Sequence, residues 1–401
     1  MKKFFIIRLI TAILFICVLF TYSIMNFMNA LDPIKAALSK VKPAPSKQFV
    51  DSVNSAIDEN VYGKYSMVEG YGYLQKLLGK NEEANFEVVK DNSGSLHYTY
   101  FTSKPNPVGD LADRVERLKE GIKDKKARLV VLMPPDKNVR GYTKFPKGIP
   151  YSYANETADN FLKAVREKQI DTLDFRTHLL NSGIPAKDLF FKTDHHWKIQ
   201  TAFWAFSELV SYLNRNDQMN LDPDHYYTNI KNYNQITYKH SYLGSLGAKT
   251  GTLYAGIDDF TLIYPKFKTD YTFHSQNSLF KINTSGRFED ALMNGHPFHV
   301  SGNNALFSLE SDKYFTYLYG NQALVHIVNK QNPKGPKVLF IKDSMSVPLA
   351  AFFSTVCSDV YLVDPRYYHG DMSKLINSYK HLDDIFVSIY PEDLNKEFFP
   401  Y

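Results

Sequence analysis

Apolar and polar residues follow two regular periods over much of this chain, and these periods predict an α/β fold. Short continuous apolar runs, such as Ala127–Met133 and Val338–Ile341, are typical of parallel strands that are buried on both faces. A 3.6-residue period over Asp110–Lys125 instead predicts an amphipathic helix. Because helical segments separate the apolar runs, we expect a parallel sheet with helical crossovers.

The same patterns set the bounds of the predicted elements. We expect helices at Asp110–Lys125, Glu156–Glu167, Trp197–Asn214, Val347–Phe353 and Met372–Tyr379. We expect strands at Ala127–Met133, Ile170–Phe175, Asp188–Phe191, Val338–Ile341, Asp359–Val363 and Asp384–Ser388. Asp194 directly precedes the long apolar helix and is expected at its N-cap.

The N-terminus carries a candidate membrane span. Lys2, Lys3 and Arg8 flank an apolar run over Leu9–Met28, and about 20 apolar residues cross a bilayer as a helix. The basic flank predicts a cytoplasmic N-terminus and an extracytoplasmic body. A cleaved signal peptide is the alternative, but no clear small-x-small cleavage site is present, which favours an uncleaved signal anchor and a single-pass membrane protein.

Three consecutive parts follow from these patterns. Residues 1–30 are expected to form the transmembrane anchor, and residues 31–60 a stalk that contains proline and lysine. Residues 61–401 are expected to form one globular domain on this tether.

A Tyr-, Asn- and Phe-rich region interrupts the α/β rhythm at about residues 222–331. Its short alternating stretches and turn residues predict an irregular, β-leaning insertion. It contains the glycine-spaced loop Tyr242–Gly251, which lacks the strand and helix context of a dinucleotide site and which we interpret as turn chemistry.

Composition adds two constraints. The net charge is +5 and no block of Lys and Arg occurs outside the N-terminus, so we expect no nucleic-acid partner. Aromatic residues make up 15% of the chain, with 28 Tyr and 29 Phe. A Tyr-rich core and surface explain this content, and a surface that stacks on sugar rings is the second interpretation.

Ser344 is a candidate nucleophile. It follows the buried-strand pattern of Val338–Ile341 and precedes a predicted helix. Ligands collect at the carboxyl ends of strands in open α/β sheets, and backbone N–H groups at a helix start can stabilise a developing oxyanion. The alternative role for Ser344 is a helix cap.

A serine nucleophile needs a base, and the base needs an orienting group. Asp194 and His196 offer both within one turn. An N-cap is the alternative role for Asp194, and surface polarity or metal ligation are the alternatives for His195 and His196. Because no further ligand occurs at zinc-like spacing, we expect no metal, and no cofactor site is predicted.

Two motifs carry a resemblance to a known family. Asp194–Trp197 (DHHW) resembles the signature of the DHHW protein family and the Asp-x-His-Trp motif of the alginate O-acetyltransferase group, both SGNH-hydrolase-like. Lys342–Ser344 is similar to the Gly-Asp-Ser block of SGNH enzymes, with Lys342 in place of glycine. The resemblance spans about Ala127–Pro391 and is weakest in the Tyr-rich region.

The resemblance implies a three-layer αβα, flavodoxin-like parallel sheet with a circularly permuted order, in which Asp194 and His196 precede Ser344. It implies that Ser344 is the nucleophile of a catalytic triad, His196 the general base and acid, and Asp194 the residue that orients His196. His195 occupies the variable position of the motif and should be dispensable.

Arg366 and Tyr367 follow the strand after Ser344 and are candidates for substrate binding. Their alternative role is ion pairing and packing within a loop.

The resemblance implies acyl transfer through an acetyl-serine intermediate. Together with the tether and the aromatic-rich body, it predicts an extracytoplasmic O-acetyltransferase that modifies a cell-surface or secreted polysaccharide. It further implies a membrane-bound O-acyltransferase partner as the acetyl source. A carbohydrate esterase with the same triad and a non-catalytic glycan-binding or assembly protein are the alternatives, and Lys342 in place of glycine keeps the latter open.

Overall fold

The computed structural model describes residues 2–40, 47–123, 126–217, 219–277, 281–295, 309 and 311–395. The chain divides into two compact units, Met1–Leu74 and Gln75–Tyr401.

The first unit is helical. Its helices are α1 (Lys2–Lys40), α2 (Lys47–Glu59) and most of α3 (Lys64–Leu77). Within the described residues, one helical segment, Lys3–Ala36, is long and apolar enough to cross a membrane. This segment is compatible with the predicted single-pass anchor. Residues 31–40 and 47–59 of the predicted stalk are helical, and the assignment of residues 31–60 as a stalk stays a prediction.

The second unit alternates helices and strands. Its helices are α4 (Gly109–Gly121), α5 (Ala154–Glu167), α6 (Ile199–Asp217), α7 (Ser245–Thr250), α8 (Thr252–Ala255), α9 (Phe288–Ala291), α10 (Ser346–Phe353) and α11 (Met372–Ser378). Its strands are β1 (Glu82–Glu83), β2 (Val88–Lys90), β3 (Leu96–Tyr98), β4 (Arg128–Met133), β5 (Asp171–Asp174), β6 (Tyr233–Tyr242), β7 (Asp258–Pro265), β8 (Tyr271–Gln276), β9 (Lys281–Gly286), β10 (Leu324–Asn329), β11 (Lys337–Lys342), β12 (Asp359–Val363) and β13 (Asp384–Ser388).

A central sheet of eight strands organises this unit, in the order β5-β4-β13-β11-β12-β10-β8-β9. The first five strands are parallel, whereas β10, β8 and β9 add to the edge of β12 in antiparallel pairs. The predicted parallel sheet is therefore confirmed for its first five strands, and the complete sheet is mixed.

Each face of the parallel strands packs into its own apolar core, because successive side chains in a strand point to opposite faces. Val338 and Phe340 of β11 pack in the core that contains α6 and α10. Leu339 and Ile341 pack in the core that contains α4, α5 and α11. This arrangement is the predicted three-layer αβα architecture.

Most predicted elements occur close to their expected bounds, but two expectations in the first motif are wrong. Asp188–Phe191 is not a strand: its first residue ends the 3₁₀ turn Ala186–Asp188, and Phe190 makes only an isolated bridge to Trp197. Helix α6 begins at Ile199, so Asp194 lies before the helix and is not its N-cap. The short irregular segment between them frees the Asp194 side chain for other contacts.

The Tyr-rich region, which was expected to be an insertion, supplies strands to the central sheet. Strands β6 and β7 form a separate two-stranded antiparallel sheet, and β8, β9 and β10 extend the central sheet. The β-leaning character was predicted from the short alternating stretches. Their pairing with β12 was not, since no local pattern specifies a partner distant in sequence.

Candidate active site

The carboxyl ends of the parallel strands lie at one edge of the sheet, and the candidate residues gather there. Ser344 follows β11 and precedes α10. Asp343 fixes this turn: its carboxylate accepts hydrogen bonds from the backbone N–H groups of Met345, at 2.9 Å, and Tyr390, at 2.8 Å. The N-cap of α10 is Met345, so Ser344 is not required as a cap.

Ser344 contacts the histidine of the first motif. Its Oγ lies 2.8 Å from Nε2 of His196, and Nδ1 of His196 lies 2.7 Å from Oδ2 of Asp194. Ser344 is 5% exposed, His196 3% and Asp194 1%. The structure therefore places the three predicted residues in one continuous, buried hydrogen-bonded chain, although 148 positions separate His196 from Ser344.

The Asp194 carboxylate is fully supplied with donors. Its Oδ2 also accepts from the Tyr242 hydroxyl at 2.6 Å, and its Oδ1 accepts from the Ser245 hydroxyl at 2.8 Å and the His195 backbone N–H at 2.9 Å. Burial alone would raise the pKa of Asp194, but the neighbouring histidines outweigh it and hold the pKa well below its usual value. The carboxylate therefore stays ionised and orients the His196 ring.

The surroundings of His196 favour a neutral ring. Burial and the neighbouring His195 lower the pKa of His196 to about 4, against the opposing effect of Asp194. The ring of Tyr314 stacks on the imidazole with the ring centroids 3.8 Å apart. A neutral imidazole whose Nδ1 donates to Asp194 leaves Nε2 as the acceptor for the Ser344 proton.

Trp197 connects the histidine segment to the serine turn through hydrogen bonds. Its indole N–H lies 3.1 Å from both the Tyr314 hydroxyl and the Met345 carbonyl oxygen. Since Trp197 is fully buried, this contact fixes the distance between the histidine segment and the serine turn.

A buried lysine also stabilises the histidine segment. The Lys137 ammonium donates to the carbonyl oxygens of Leu96, Phe191, Lys192 and Asp194, at 2.5, 2.7, 3.2 and 2.8 Å. Burial lowers its pKa to about 8. These carbonyl groups replace the water that would otherwise solvate the ammonium group. Lys137 therefore holds in place the residues that precede His196.

The glycine-spaced loop is part of this support, which goes beyond the turn chemistry inferred from its sequence. A Cβ on Gly244 would collide with Asp194, and one on Gly247 would collide with Leu243 and Thr193. The two backbone N–H groups donate to the Thr193 hydroxyl and carbonyl at 2.9 and 2.8 Å. The glycines therefore permit a close approach that brings Tyr242 and Ser245 to Asp194.

His195 lies at the more exposed side of the site, with its side chain 18% exposed. Its Nδ1 lies 3.1 Å from Asp194 Oδ1 and 3.2 Å from the Ser245 hydroxyl. It does not contact Ser344, and its dispensability stays a prediction.

Arg366 and Tyr367 follow β12 at the same edge, as expected for parallel neighbours. Arg366 donates from Nε and Nη2 to the two oxygens of Asp364, at 2.9 and 2.7 Å, and its charge contributes to the lowered pKa of His196. Tyr367 is exposed. Both side chains lie at the surface near the site, and substrate binding by them stays a prediction.

Lys342, which stands in place of the family glycine, points away from the serine turn. Its buried ammonium donates to Asn321 at 2.8 Å and to Asp364 at 3.0 Å. It therefore belongs to the ion-paired group that holds Arg366 and does not obstruct Ser344.

Among the described residues, Asp194, His195 and His196 are the one group whose ligand atoms are close enough for a metal, within 4.8 Å of one another. Both Asp194 oxygens and both His196 nitrogens already take part in the hydrogen bonds above. A metal at this place would compete with the whole chain of contacts.

Part of the chain matches a known protein family. Residues 98–250 match the family described as SGNH hydrolase-like domain, acetyltransferase AlgX. This match includes Asp194 and His196 and ends before Ser344. No curated protein matches the chain.

Two solved structures show the same fold. PatB1 of Bacillus cereus, solved with a sulfonyl adduct, is 17% identical with a TM-score of 0.60, over 78% of this chain and 97% of that chain. A DHHW family protein from Eubacterium siraeum is 16% identical with a TM-score of 0.53, over 77% of this chain and 94% of that chain. Residues 98–250 therefore resemble an SGNH hydrolase-like acetyltransferase domain, and the chain shares the fold of the two solved structures, in agreement with the resemblance of its two motifs.

Proposed function

We propose that this protein is an extracytoplasmic, membrane-anchored O-acetyltransferase that acetylates a polysaccharide through acetyl-Ser344. The observation that carries this proposal is the contact of His196 Nε2 with Ser344 Oγ at 2.8 Å, next to an imidazole oriented by Asp194. The match to an acetyltransferase family supports the identity of the acyl group.

In the first half-reaction, Ser344 Oγ attacks the carbonyl carbon of an acetyl ester and its proton passes to His196 Nε2. The bond between the carbonyl carbon and the donor oxygen then breaks, and the departing oxygen takes the proton from Nε2. The Ser344 backbone N–H donates to none of the described residues, so it is available to the tetrahedral oxyanion.

In the second half-reaction, a sugar hydroxyl gives its proton to His196 and attacks the acetyl carbon. The Ser344 oxygen departs, regains the proton and leaves an acetylated sugar. Asp194 stays ionised throughout and stabilises the imidazolium that forms in each half-reaction.

The apolar segment within α1 supports anchoring of this protein in the membrane. There, a membrane-bound O-acyltransferase would supply the acetyl groups. The exposed side chains of Arg366 and Tyr367 at the same edge would contact the incoming substrate.

Labelling and transfer assays test the function in turn. We expect a fluorophosphonate or sulfonyl fluoride probe to label the full-length protein at Ser344, as identified by peptide mass spectrometry. Labelling should be absent from Ser344→Ala and strongly reduced in His196→Ala. An unlabelled wild-type serine would instead support a non-catalytic glycan-binding protein.

Incubation with 4-nitrophenyl acetate, with and without oligosaccharides, then separates transferase from esterase. We expect acetylated sugar by mass spectrometry. Release of acetate at a rate that sugars do not change, with no acetylated sugar, would establish the esterase.

A further inference from the structure

Helix α3 carries an exposed apolar stripe that the proposed triad does not use. Met67, Tyr71 and Leu74 are spaced four and three residues apart in this helix, so they lie on one face of it. These residues are 52%, 54% and 50% exposed. Apolar side chains that are grouped on one exposed face mark an interaction surface, whereas single exposed apolar residues do not.

Contacts with α1 fix where the stripe begins. The Tyr22 hydroxyl of α1 lies 3.1 Å from the Tyr62 carbonyl oxygen and 3.4 Å from Sδ of Met67. The Tyr62 backbone N–H donates to the Asn26 side chain, one turn further along α1, at 2.8 Å. The turn between α2 and α3, and with it the first residue of the stripe, therefore lies level with residues 22–26 of α1.

Charged groups in this turn indicate where the hydrocarbon of a bilayer around α1 must end. Asp58 is exposed, and the Lys64 ammonium donates to the Asp58 carbonyl oxygen at 2.9 Å. Charged side chains are costly inside hydrocarbon, so the outer boundary lies near Tyr22. Tyrosine is itself enriched at this level of membrane proteins.

The length of α1 agrees with this boundary. The apolar segment Lys3–Ala36 has 34 residues and is about 50 Å long as a helix, whereas the hydrocarbon core is about 30 Å thick. About 20 residues cross such a core, and counting back from Tyr22 leads to Lys3. The guanidinium of Arg8 lies 4.1 Å from the centre of the Phe4 ring. It is therefore turned toward the N-terminal end of α1, as a charge that snorkels to the inner headgroups would be.

The surface of α1 at the same level supplies the partner of the stripe. Phe20, Ile24 and Phe27 are 67%, 55% and 66% exposed, and a bilayer covers such side chains in an anchored protein. The stripe joins this surface through the contact of Met67 with Tyr22. One lipid environment therefore accounts for the exposed apolar side chains of both helices.

The opposite face of α3 is charged. Glu69 and Lys76 each follow a stripe residue by two positions, which places them about 200° around the helix from Met67 and Leu74. An apolar face and a charged face are typical of a helix that lies in the plane of the membrane–water interface.

We propose that α3 lies in the outer membrane–water interface, with Met67, Tyr71 and Leu74 inserted among the lipid acyl chains. This placement rests on the membrane anchor of the proposed function and adds a second lipid contact to it.

Depth-dependent fluorescence quenching tests the placement. In the full-length protein with Cys17→Ala and Cys357→Ala, which removes both cysteines, Leu74→Cys is labelled with the fluorophore NBD and reconstituted into phosphatidylcholine vesicles. The lipids carry a nitroxide either near the headgroup or near the end of the acyl chain. Because an interfacial helix buries its apolar face by roughly 5–10 Å, we expect the nitroxide near the headgroup to quench this label about threefold more strongly than the nitroxide at the chain end.

Lys76→Cys in the same background is the matched control, since it lies two residues away on the opposite face. We expect iodide in the water to quench its label strongly and either nitroxide to quench it little. Equal quenching by the nitroxides at both positions, or no nitroxide quenching of the Leu74→Cys label, would overturn the interfacial helix. A Leu74→Cys label protected from iodide and from both nitroxides would show that a second copy covers the stripe, which also overturns it.

A second position covers the case in which Leu74→Cys fails to fold. Tyr71→Cys lies on the same stripe and should show the same preference for the nitroxide near the headgroup. The opposite preference, or strong quenching by iodide alone, contradicts the placement.

The native Cys17 separates failure of the interfacial helix from failure of the anchor. It is exposed on α1 and lies five residues before Tyr22, roughly 7–8 Å deeper in the bilayer. In Cys357→Ala, the chain-end nitroxide should therefore quench NBD on Cys17 more strongly than the nitroxide near the headgroup does. An unquenched Cys17 label rejects the anchor and the placement together. A quenched Cys17 label with an unquenched Leu74→Cys label rejects the interfacial helix alone.

Discussion

Two buried aspartates at the same edge of the sheet have opposite environments. Asp194, 1% exposed, accepts hydrogen bonds from His196, Tyr242 and Ser245, and its pKa lies well below the usual value. Asp136, 3% exposed, has no well-formed hydrogen bond from the described residues, although the Asn138 backbone N–H acts to lower its pKa, and burial raises that pKa to about 7.

The difference separates two uses of a buried carboxylate. A carboxylate that must orient a catalytic base is held by the protein itself, because any freedom would be transmitted to the imidazole. A carboxylate left without donors destabilises the fold unless a ligand supplies them. The first kind is already satisfied in the folded protein, and the second kind has a raised pKa, as Asp136 does.

Substitution of Ser344 or His196 should have the largest effect on turnover. We expect Ser344→Ala and His196→Ala to lower kcat for acetyl ester turnover by about 10⁴-fold or more, because each removes a group that forms or breaks bonds. Steady-state kinetics with 4-nitrophenyl acetate measures this, and circular dichroism checks the fold. A folded His196→Ala protein with near wild-type kcat would contradict the assigned base.

Several parts of this arrangement were predictable from the sequence and others were not. Apolar runs identified β4, β11 and β13, because a strand buried on both faces must be apolar at every position. The Asp194–Trp197 and Lys342–Ser344 motifs identified both ends of the contact chain. The donors to Asp194 were missed, since Tyr242 is 48 residues from Asp194 and no local period encodes that pairing.

The glycine-spaced loop carries a sequence signal of that pairing. Gly244 and Gly247 occur in a loop with no helix or strand to explain them, and the structure shows that a Cβ at either position would collide with its surroundings. The sequence gives no sign of the Asp136 environment, since burial and a scarcity of hydrogen-bond donors are properties of the folded surroundings and not of the residue.

The pH dependence of turnover should reveal the lowered pKa of His196. The ring must be neutral to accept the serine proton, and its pKa of about 4 keeps it neutral at pH 5. At the ordinary value of about 6.5, activity at pH 5 would be about thirtyfold below its plateau. We expect kcat/KM to stay near its plateau at pH 5 and to fall as the pH decreases through 4.

The same shift acts on stability in a defined direction. Because the unfolded chain protonates this histidine at higher pH than the folded chain does, its contribution decreases as the pH falls from about 6.5 to 4. A thermal melt at each pH therefore accompanies the kinetics. A loss of activity centred near pH 6.5 in a fully folded protein would contradict the neutral-ring assignment.

Removing one donor to Asp194 should have an intermediate effect. We expect Tyr242→Phe to lower kcat about tenfold with little change in KM, since a hydrogen bond to a carboxylate contributes about 1.5–3 kcal/mol. Tyr317→Phe is the control: this equally buried tyrosine donates to the Ile263 carbonyl, away from the triad. An equal loss of kcat in both variants would reduce the role of Tyr242 to stability.

In thermal melts, the contribution of Asp136 to stability should change with pH in the opposite direction to that of His196. The folded-state pKa of Asp136, about 7, exceeds the unfolded value near 3.8, so its contribution to stability is lost as the pH rises from about 4 to 7. Asp136→Asn should therefore raise the melting temperature by a few degrees at pH 8 and by less at pH 4. The other charged groups near Asp136 are Arg176, Arg140, Glu156 and the buried Glu392.

A melting temperature that falls at pH 8 in Asp136→Asn would show that the protein itself satisfies this carboxylate. The contrast with Asp194 would then disappear.

His195 should respond least, although it adjoins both His196 and Asp194. Its imidazole contacts Asp194 Oδ1 at 3.1 Å, but the Ser245 hydroxyl donates to the same oxygen at 2.8 Å and the His195 backbone N–H remains in any variant. We therefore expect His195→Ala to change kcat less than about threefold, because the surviving donors keep Asp194 in place. The matched comparison is His196→Ala, assayed on the same ester. If His195→Ala were as inactive as His196→Ala, the wrong imidazole would have been assigned as the base, and the contacts around Asp194 would need to be reinterpreted.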